Sequence, residues 1–313
     1  LKPLLEDQLH QHIVDQANVL IDRYFFEKDL KFNVMNYVNH KFDQIINFSQ
    51  FTKIHYDIFR DSYNKEEEIN LLTIVELIIL ASDIMDDIQD GDAGDNPWAD
   101  VDLGQNLNII VGMLFLCLKH LDEMNIPDFM KEKIRSEIHL ATLGSINGQH
   151  IDLSNNISSE SEYLSMVSLK SGSLVQLACL LGAGCVDENT ERIIKTYSRQ
   201  IGIIAQIRND VNDMVNGFIK SDIINKKKTL PILYYLKLQK PQFQIVKEYY
   251  LGNQPYSELT REEISDLHNT LIYGGAVEYC KVMEQLYLHK YKECIHSLNI
   301  GSSDKEKLLH INI

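Results

Sequence analysis

The chain has 313 residues, with 45 acidic side chains against 30 basic ones and a formal net charge of −15. That balance excludes nonspecific nucleic-acid binding and a polybasic membrane anchor. The five cysteines (Cys117, Cys179, Cys185, Cys280, Cys294) form no CxxC pair and mostly sit in apolar runs, so they read as free thiols of a cytoplasmic protein with at most a loose membrane association.

Apolar residues recur at helical spacing almost throughout, and the few prolines stand at breaks. The pattern predicts helices near residues 4–25 and 31–62, then a long helix opened by Glu66-Glu67-Glu68, whose negative charge suits the positive end of the helix dipole. That helix runs to about Asp90 and is apolar nearly all round, as a buried helix is. Further helices are expected near 104–122, 129–151, 160–186, 189–218, 229–238, 243–250, 260–271 and 274–298. With no Pro/Gly/Ser-rich linker, the expectation is one all-α domain over residues 1–313, a large helical bundle. The uncharged runs Leu107–Leu118 and Leu174–Val186 are too short to span a bilayer, which needs about 20 residues, and the opening residues lack the pattern of a signal peptide.

Asp83, Asp86, Asp87 and Asp90 stand at i, i+3, i+4 and i+7 and so share one helix face. They lie at the negative end of the helix dipole and repel one another, a double cost that a divalent cation would remove. Gln206, Asn209, Asp210 and Asp213 repeat the spacing after a second apolar stretch. Two such faces read as facing walls of one pocket in which cations, magnesium by preference, bridge carboxylates to a diphosphate. Lys170 and the triplet Lys226-Lys227-Lys228 are the candidate cationic partners, the triplet reading equally well as a solvated loop or, from its place just after the second acidic helix, as a diphosphate contact. Gly144, Gly148, Gly182 and Gly184 mark close helix contacts rather than phosphate loops, because no strand precedes them.

Over about residues 70–235 the sequence resembles the trans-isoprenyl diphosphate synthases. Ser82 to Asp90 is similar to their first aspartate-rich motif, Gly148-Gln-His-Ile-Asp-Leu153 to their GQxxDL segment, and Lys170-Ser-Gly-Ser-Leu174 to their KTGxL turn. Gln206–Asp213 stands where their second aspartate-rich motif belongs, and Ser221-Asp222 with Lys227-Lys-Thr-Leu-Pro231 resembles their SD…GKxTLP loop. Two departures stand out. No GKRxRP motif precedes Glu66, and Gly91-Asp-Ala-Gly-Asp-Asn-Pro97 replaces the arginine pair that holds the diphosphate acceptor in chain-elongating members. With the Asp-Ile-Met-Asp-Asp run and Pro97-Trp98, this pattern most resembles the bacterial ComQ-type prenyltransferases, which move a geranyl or farnesyl group onto a tryptophan of a short quorum-sensing pheromone precursor.

The resemblance implies the isoprenoid-synthase helical fold, a homodimer, an allylic prenyl diphosphate and a short Trp-containing peptide as partners, and several magnesium ions. It also implies roles for residues. Asp83, Asp86, Asp87, Asp90, Asn209, Asp210 and Asp213 would serve the metal, and Lys170, Lys227 and Lys228 the diphosphate. Gln206 would hold a metal-bound water or act as a structural partner; Gln149 and Asp152 would orient the leaving group or tie helices together. Ala81 and Ser82 either line the cavity for the prenyl tail or let helices approach closely. Three rivals remain: a class I terpene synthase, disfavoured by Asp213 and Gly217 where Ser/Thr and Glu would stand; a non-catalytic synthase subunit, disfavoured by the intact first motif; and a short-chain polyprenyl diphosphate synthase.

Overall fold

The computed structural model describes residues 2–42, 48–216 and 221–311, and side chains for 9–42, 48–215 and 222–311. Among the described residues there is no β-strand, in agreement with the all-α expectation. The helices are α1 (Lys2–Tyr24), α2 (Lys28–Phe42), α3 (Phe48–Phe59), α4 (Lys65–Asp90), α5 (Leu103–Glu123), α6 (Asp128–Ser154), α7 (Glu160–Lys170), α8 (Gly172–Ala183), α9 (Glu188–Asn216), α10 (Ser221–Ile224), α11 (Leu230–Lys237), α12 (Gln244–Leu251), α13 (Arg261–Tyr273), α14 (Ala276–Ser297) and α15 (Ser302–Leu309). The helix predicted over 31–62 corresponds to α2 and α3, which flank residues 43–47; those residues lie outside the described set, as do Gly217 and residues 218–220. The stretch 160–186 divides at Ser171, and the short α10 and α15 carry too little periodicity to be read from sequence.

The chain forms two compact units: one from Leu1–Leu143, Leu174–Lys195 and Leu298–Asn312, the other chiefly from Gly144–Ser173 and Thr196–Ser297. In the first unit α4 is the axis, contacting α1, α2, α3 and α5. Every residue from Asn70 to Ala81 on it is buried, which accounts for the all-round apolar sequence. Asn64 caps its start by accepting from the Glu66 and Glu67 N–H groups, and Gly91 ends it in the left-handed conformation (φ 72°) that a Cβ would strain. The opening glutamates do more than favour the dipole. Glu68 is buried with Lys53 at 2.9 Å, and Glu67 pairs with Arg60, which also donates to the Leu181 and Gly182 carbonyls at the end of α8.

In the second unit α11 packs against α7, α12 and α14, and α13 against α12 and α14. One part of its core gathers Met214, Tyr235, Phe243, Tyr249 and Leu267; another joins Tyr163, Val167, Ile207, Leu230 and Cys280. The glycines do mark close contacts: a Cβ on Gly148 would lie 2.6 Å from Lys170 Cα, and one on Gly182 would meet His55 Cβ at 2.9 Å. The stretch Glu160–Ala183 is longer than either run singled out from sequence and apolar enough for a bilayer, but 67% of its most apolar window is buried inside the fold, as in a core helix.

Candidate active site

In the first unit the acidic face lies on the last two turns of α4, and all four aspartates are intermediate in exposure. Asp83 is taken by an ion pair with Lys41, from the end of α2. Burial pushes Asp83 up, and Lys41 pulls it back toward the charged form. Lys41 itself is pressed down by burial but ends above its usual range because Asp83, Glu76 and Asp87 surround it. Two turns inward, Glu76 accepts from the Ser49 N–H at 2.6 Å, and burial lifts its pKa to about 7.

Asp87 is held differently. Its Oδ2 accepts from the Trp98 indole Nε1–H at 2.9 Å and from the Asn96 amide at 3.0 Å. Burial raises its pKa, and these two bonds oppose the rise. The loop after α4 therefore folds back over the face that precedes it. Asp86 and Asp90, one helical turn apart, complete the set. No basic residue occurs from Gly91 to Asp102, while Asp92, Asp95, Asp100 and Asp102 are exposed.

In the second unit the same spacing gives another arrangement. Asn209 is exposed and Asp213 intermediate, but Asp210 is buried at 4% exposure. Its Oδ2 accepts from the Tyr163 hydroxyl at 2.6 Å and more distantly from the Leu230 N–H, and its Oδ1 from the Gln206 amide at 2.9 Å. Burial raises Asp210 to about 7 despite those bonds. Gln206 also accepts from the Ser171 hydroxyl at 3.0 Å, so its observed contacts are those of a structural partner joining the α7–α8 break to α9.

This unit also brings cations to carboxylates. Lys170 meets Asp152 at 2.9 Å, and Lys227 lies 3.7 Å from Asp152 and 3.5 Å from Asp222, all four side chains being at most a quarter exposed. The lysine triplet divides. Lys226, with positive φ, donates to the Gly252 and Gln254 carbonyls and sits over the Tyr249 ring, whereas Lys227 turns inward. Asn155 pins the loop from both sides, donating to the Lys226 carbonyl and accepting from the Lys228 N–H. Asp152 is thus an interhelical ion-pair partner. Gln149 is not tied to a neighbouring helix: both its amide atoms are buried and find no hydrogen-bond partner among the described residues. Ala81 is buried, and Ser82 donates to the Ile78 carbonyl within α4.

Sequence reasoning did not pick out Lys41, Asn96, Tyr163 or Asn155 as parts of these sites. Trp98 carried a usable signal: a buried indole N–H seeks an acceptor, and its loop offers Asp95, Asn96 and Asp100 close by in sequence and Asp87 one helix end away. Among the described residues no three carboxylate, imidazole or thiolate groups converge into a ready-made metal cage. The hard oxygen donors still suit magnesium, which takes one or two carboxylates and completes its shell with water and phosphate oxygens. A carboxylate pushed upward by burial, as at Asp87, gains from such an ion.

Residues 45–267 match the polyprenyl synthetase family. The tryptophan prenyltransferase ComQ of Bacillus subtilis subsp. natto is 28% identical over 299 residues, 95% of this chain and 90% of its own length. The short chain isoprenyl diphosphate synthase of Methanocaldococcus jannaschii is 30% identical over 69% of this chain and 68% of its own. Among solved structures, the geranylgeranyl pyrophosphate synthase of Corynebacterium glutamicum complexed with isoprenyl diphosphate and magnesium superposes with a TM-score of 0.80 at 15% identity, covering 97% of each chain, and so shares the fold.

Proposed function

The chain belongs to the polyprenyl synthetase family, and from that membership we propose that this isoprenyl transferase moves a geranyl- or farnesyl-type group from an allylic diphosphate to a tryptophan of a short pheromone precursor peptide. The observation that carries the choice of acceptor is the loop Gly91–Asp102. It bears four aspartates and no basic residue, so a diphosphate-bearing acceptor would be repelled there, while a neutral or cationic peptide would not. The near full-length likeness to ComQ points the same way.

In this reading Asp86, Asp87 and Asp90 on the first face, and Asn209 and Asp213 on the second, supply oxygen donors for magnesium. Magnesium, when bound, neutralises charge on the leaving diphosphate. Lys170, Lys227 and Lys228 contact diphosphate oxygens, the first two exchanging part of their pairing with Asp152 and Asp222 for that contact. Gln149, whose buried amide finds no partner among the described residues, offers a hydrogen bond to the leaving group. Asp83 is neutralised by Lys41 and Asp210 is satisfied internally, so both shape their faces more than they reach the ligand. The allylic C–O bond breaks with its electron pair leaving on diphosphate, an indole carbon bonds to the allylic cation, and a proton is lost where aromaticity is restored. Ala81 and Ser82 border the tail, which sets donor length.

All 313 residues serve this one activity, in the cytoplasm, where the five free cysteines stay reduced. Leu103, Leu107, Val111 and Phe115 form an exposed apolar stripe on α5, which has no acidic or basic residue from Leu103 to Leu118. For a chain of net charge −15, such a surface suits a second copy. Phe115→Asp should turn dimers into monomers by light scattering.

The deciding assay supplies C10, C15 or C20 allylic diphosphates with either a tryptophan-containing peptide or isopentenyl diphosphate, and reads products by mass spectrometry. Prenylated peptide is the expected product. Longer polyprenyl diphosphates, or terpenes from the donor alone, would replace this reading with chain elongation or terpene synthesis.

A further inference from the structure

Trp98 is the one tryptophan of the chain, and it is 4% exposed in a loop otherwise rich in aspartate. Its ring is held edge-on by Tyr37 (centroids 5.5 Å apart) and by His40 (5.8 Å), both from α2. Its backbone carbonyl accepts from Asn106 Nδ2 at 2.8 Å, and the Asn106 Oδ1 in turn accepts from the Tyr37 hydroxyl at 2.7 Å. Ring and backbone are therefore both fixed. The indole N–H that this frame presents goes to Asp87 Oδ2 and not to a backbone carbonyl.

A second path reaches the same oxygen. His40 Nε2 donates to Asn96 Oδ1 at 3.1 Å, and Asn96 Nδ2 donates to Asp87 Oδ2 at 3.0 Å. Two donors on one carboxylate oxygen set the side-chain torsion of Asp87 and leave Oδ1 with neither. A fold selected for stability alone would give a buried indole a neutral acceptor, because Asp87 stands one helical turn from Asp83 and Asp90 and shares in their repulsion.

We propose that Trp98 is a positioning residue: through its indole N–H, backed by the His40–Asn96 path, it fixes Asp87 so that Oδ1 is presented to the cation that carries the diphosphate. This rests on the reading of the first acidic face as a magnesium site. Outer partners of this kind orient metal ligands, and their loss weakens affinity about 10- to 100-fold.

The test is calorimetric titration of magnesium, in the presence of inorganic diphosphate, into the native chain, Trp98→Phe, Asp87→Asn and the double variant. Phenylalanine keeps an aromatic ring against Tyr37 and His40 and removes the N–H. The expected result is binding about tenfold weaker in Trp98→Phe, with no further loss from that change once Asp87 is already Asn. Native affinity in Trp98→Phe would overturn the proposal, and so would an undiminished loss in the Asp87→Asn background, which would mark general damage. Should Trp98→Phe fail to fold, biosynthetic replacement of the single tryptophan by benzothienylalanine, which has the same shape without the N–H, gives the same comparison. Absence of magnesium binding by the native chain would remove the metal reading and this role together, whereas native binding unaffected by the change would remove this role alone.

Discussion

The two acidic faces have the same spacing and opposite construction. On α4 four aspartates stay partly exposed, and the groups that hold two of them come from outside the helix: Lys41 for Asp83, and Trp98 with Asn96 for Asp87. On α9 the central carboxylate, Asp210, is sunk into the core and satisfied by Tyr163, Gln206 and the start of α11, while Lys170 and Lys227 of the same unit pair with Asp152 and Asp222. The first face gathers negative charge that an added cation must balance; the second brings much of its own balance. Spacing decides which residues share a helix face, but the neighbours decide which carboxylate can serve a ligand and which is part of the frame.

Replacing one aspartate on each face is the strongest way to break this contrast. Asp86→Ala should cut turnover by about a thousandfold, the scale of losing a main electrostatic contact, with an unchanged melting temperature. Asp210→Ala should also lose turnover, but through the fold: the Tyr163 hydroxyl and Leu230 N–H would be left without an acceptor, at a cost of about 3 kcal/mol in urea denaturation. If Asp210→Ala proved as stable as the native chain, the two faces would be equivalent after all.

A pH titration sharpens the same contrast from behind the first face. Glu76 is buried, with its pKa raised from about 4.5 to about 7. A carboxyl raised on folding contributes stability that is fully present below its unfolded pKa and is lost as the pH climbs through its folded one. Glu76→Gln lacks that loss. Its stability relative to the native chain should therefore rise by about 3 kcal/mol between pH 4.5 and 7.5, measured as urea midpoints across the range. A flat difference would mean that Lys41, which faces both Glu76 and Asp83, keeps Glu76 charged in the folded chain.

Much of this organisation was legible beforehand, for physical reasons that differ by residue. The long run from Asn70 to Ala81 announced a buried helix because no face of it could meet water, and α4 is that helix. The i, i+3, i+4, i+7 patterns located both faces. What periodicity could not show was depth. Asn209 and Asp210 are neighbours with opposite exposure, and the groups that surround Asp210 lie far away in the chain, Tyr163 47 residues earlier and Leu230 20 residues later. The break at Ser171 was hidden because Gly172–Ala183 continues the apolar pattern, and a one-residue interruption barely disturbs a 3.6-residue period. The lysine triplet looked uniform, yet the positive φ of Lys226 turns its side chain away from that of Lys227, a matter of backbone conformation that residue type does not encode.

Two smaller changes probe the second face from its frame and from its rim. Tyr163→Phe removes one donor to Asp210 and leaves the other two, so it should cost about 1.5 kcal/mol, less than Asp210→Ala. The lysine loop gives the smallest expected effect and the clearest separation. Lys226 is anchored to the Gly252 and Gln254 carbonyls and to the Tyr249 ring, away from Asp152, so Lys226→Ala should cost at most about 1 kcal/mol and leave the donor KM unchanged. Lys227→Ala should do the reverse, raising the donor KM about tenfold or more with little change in melting temperature. Equal KM values for the two variants would show that the pairing of Lys227 with Asp152 and Asp222 is only internal, and the cationic half of the second face would then rest on Lys170 and Lys228.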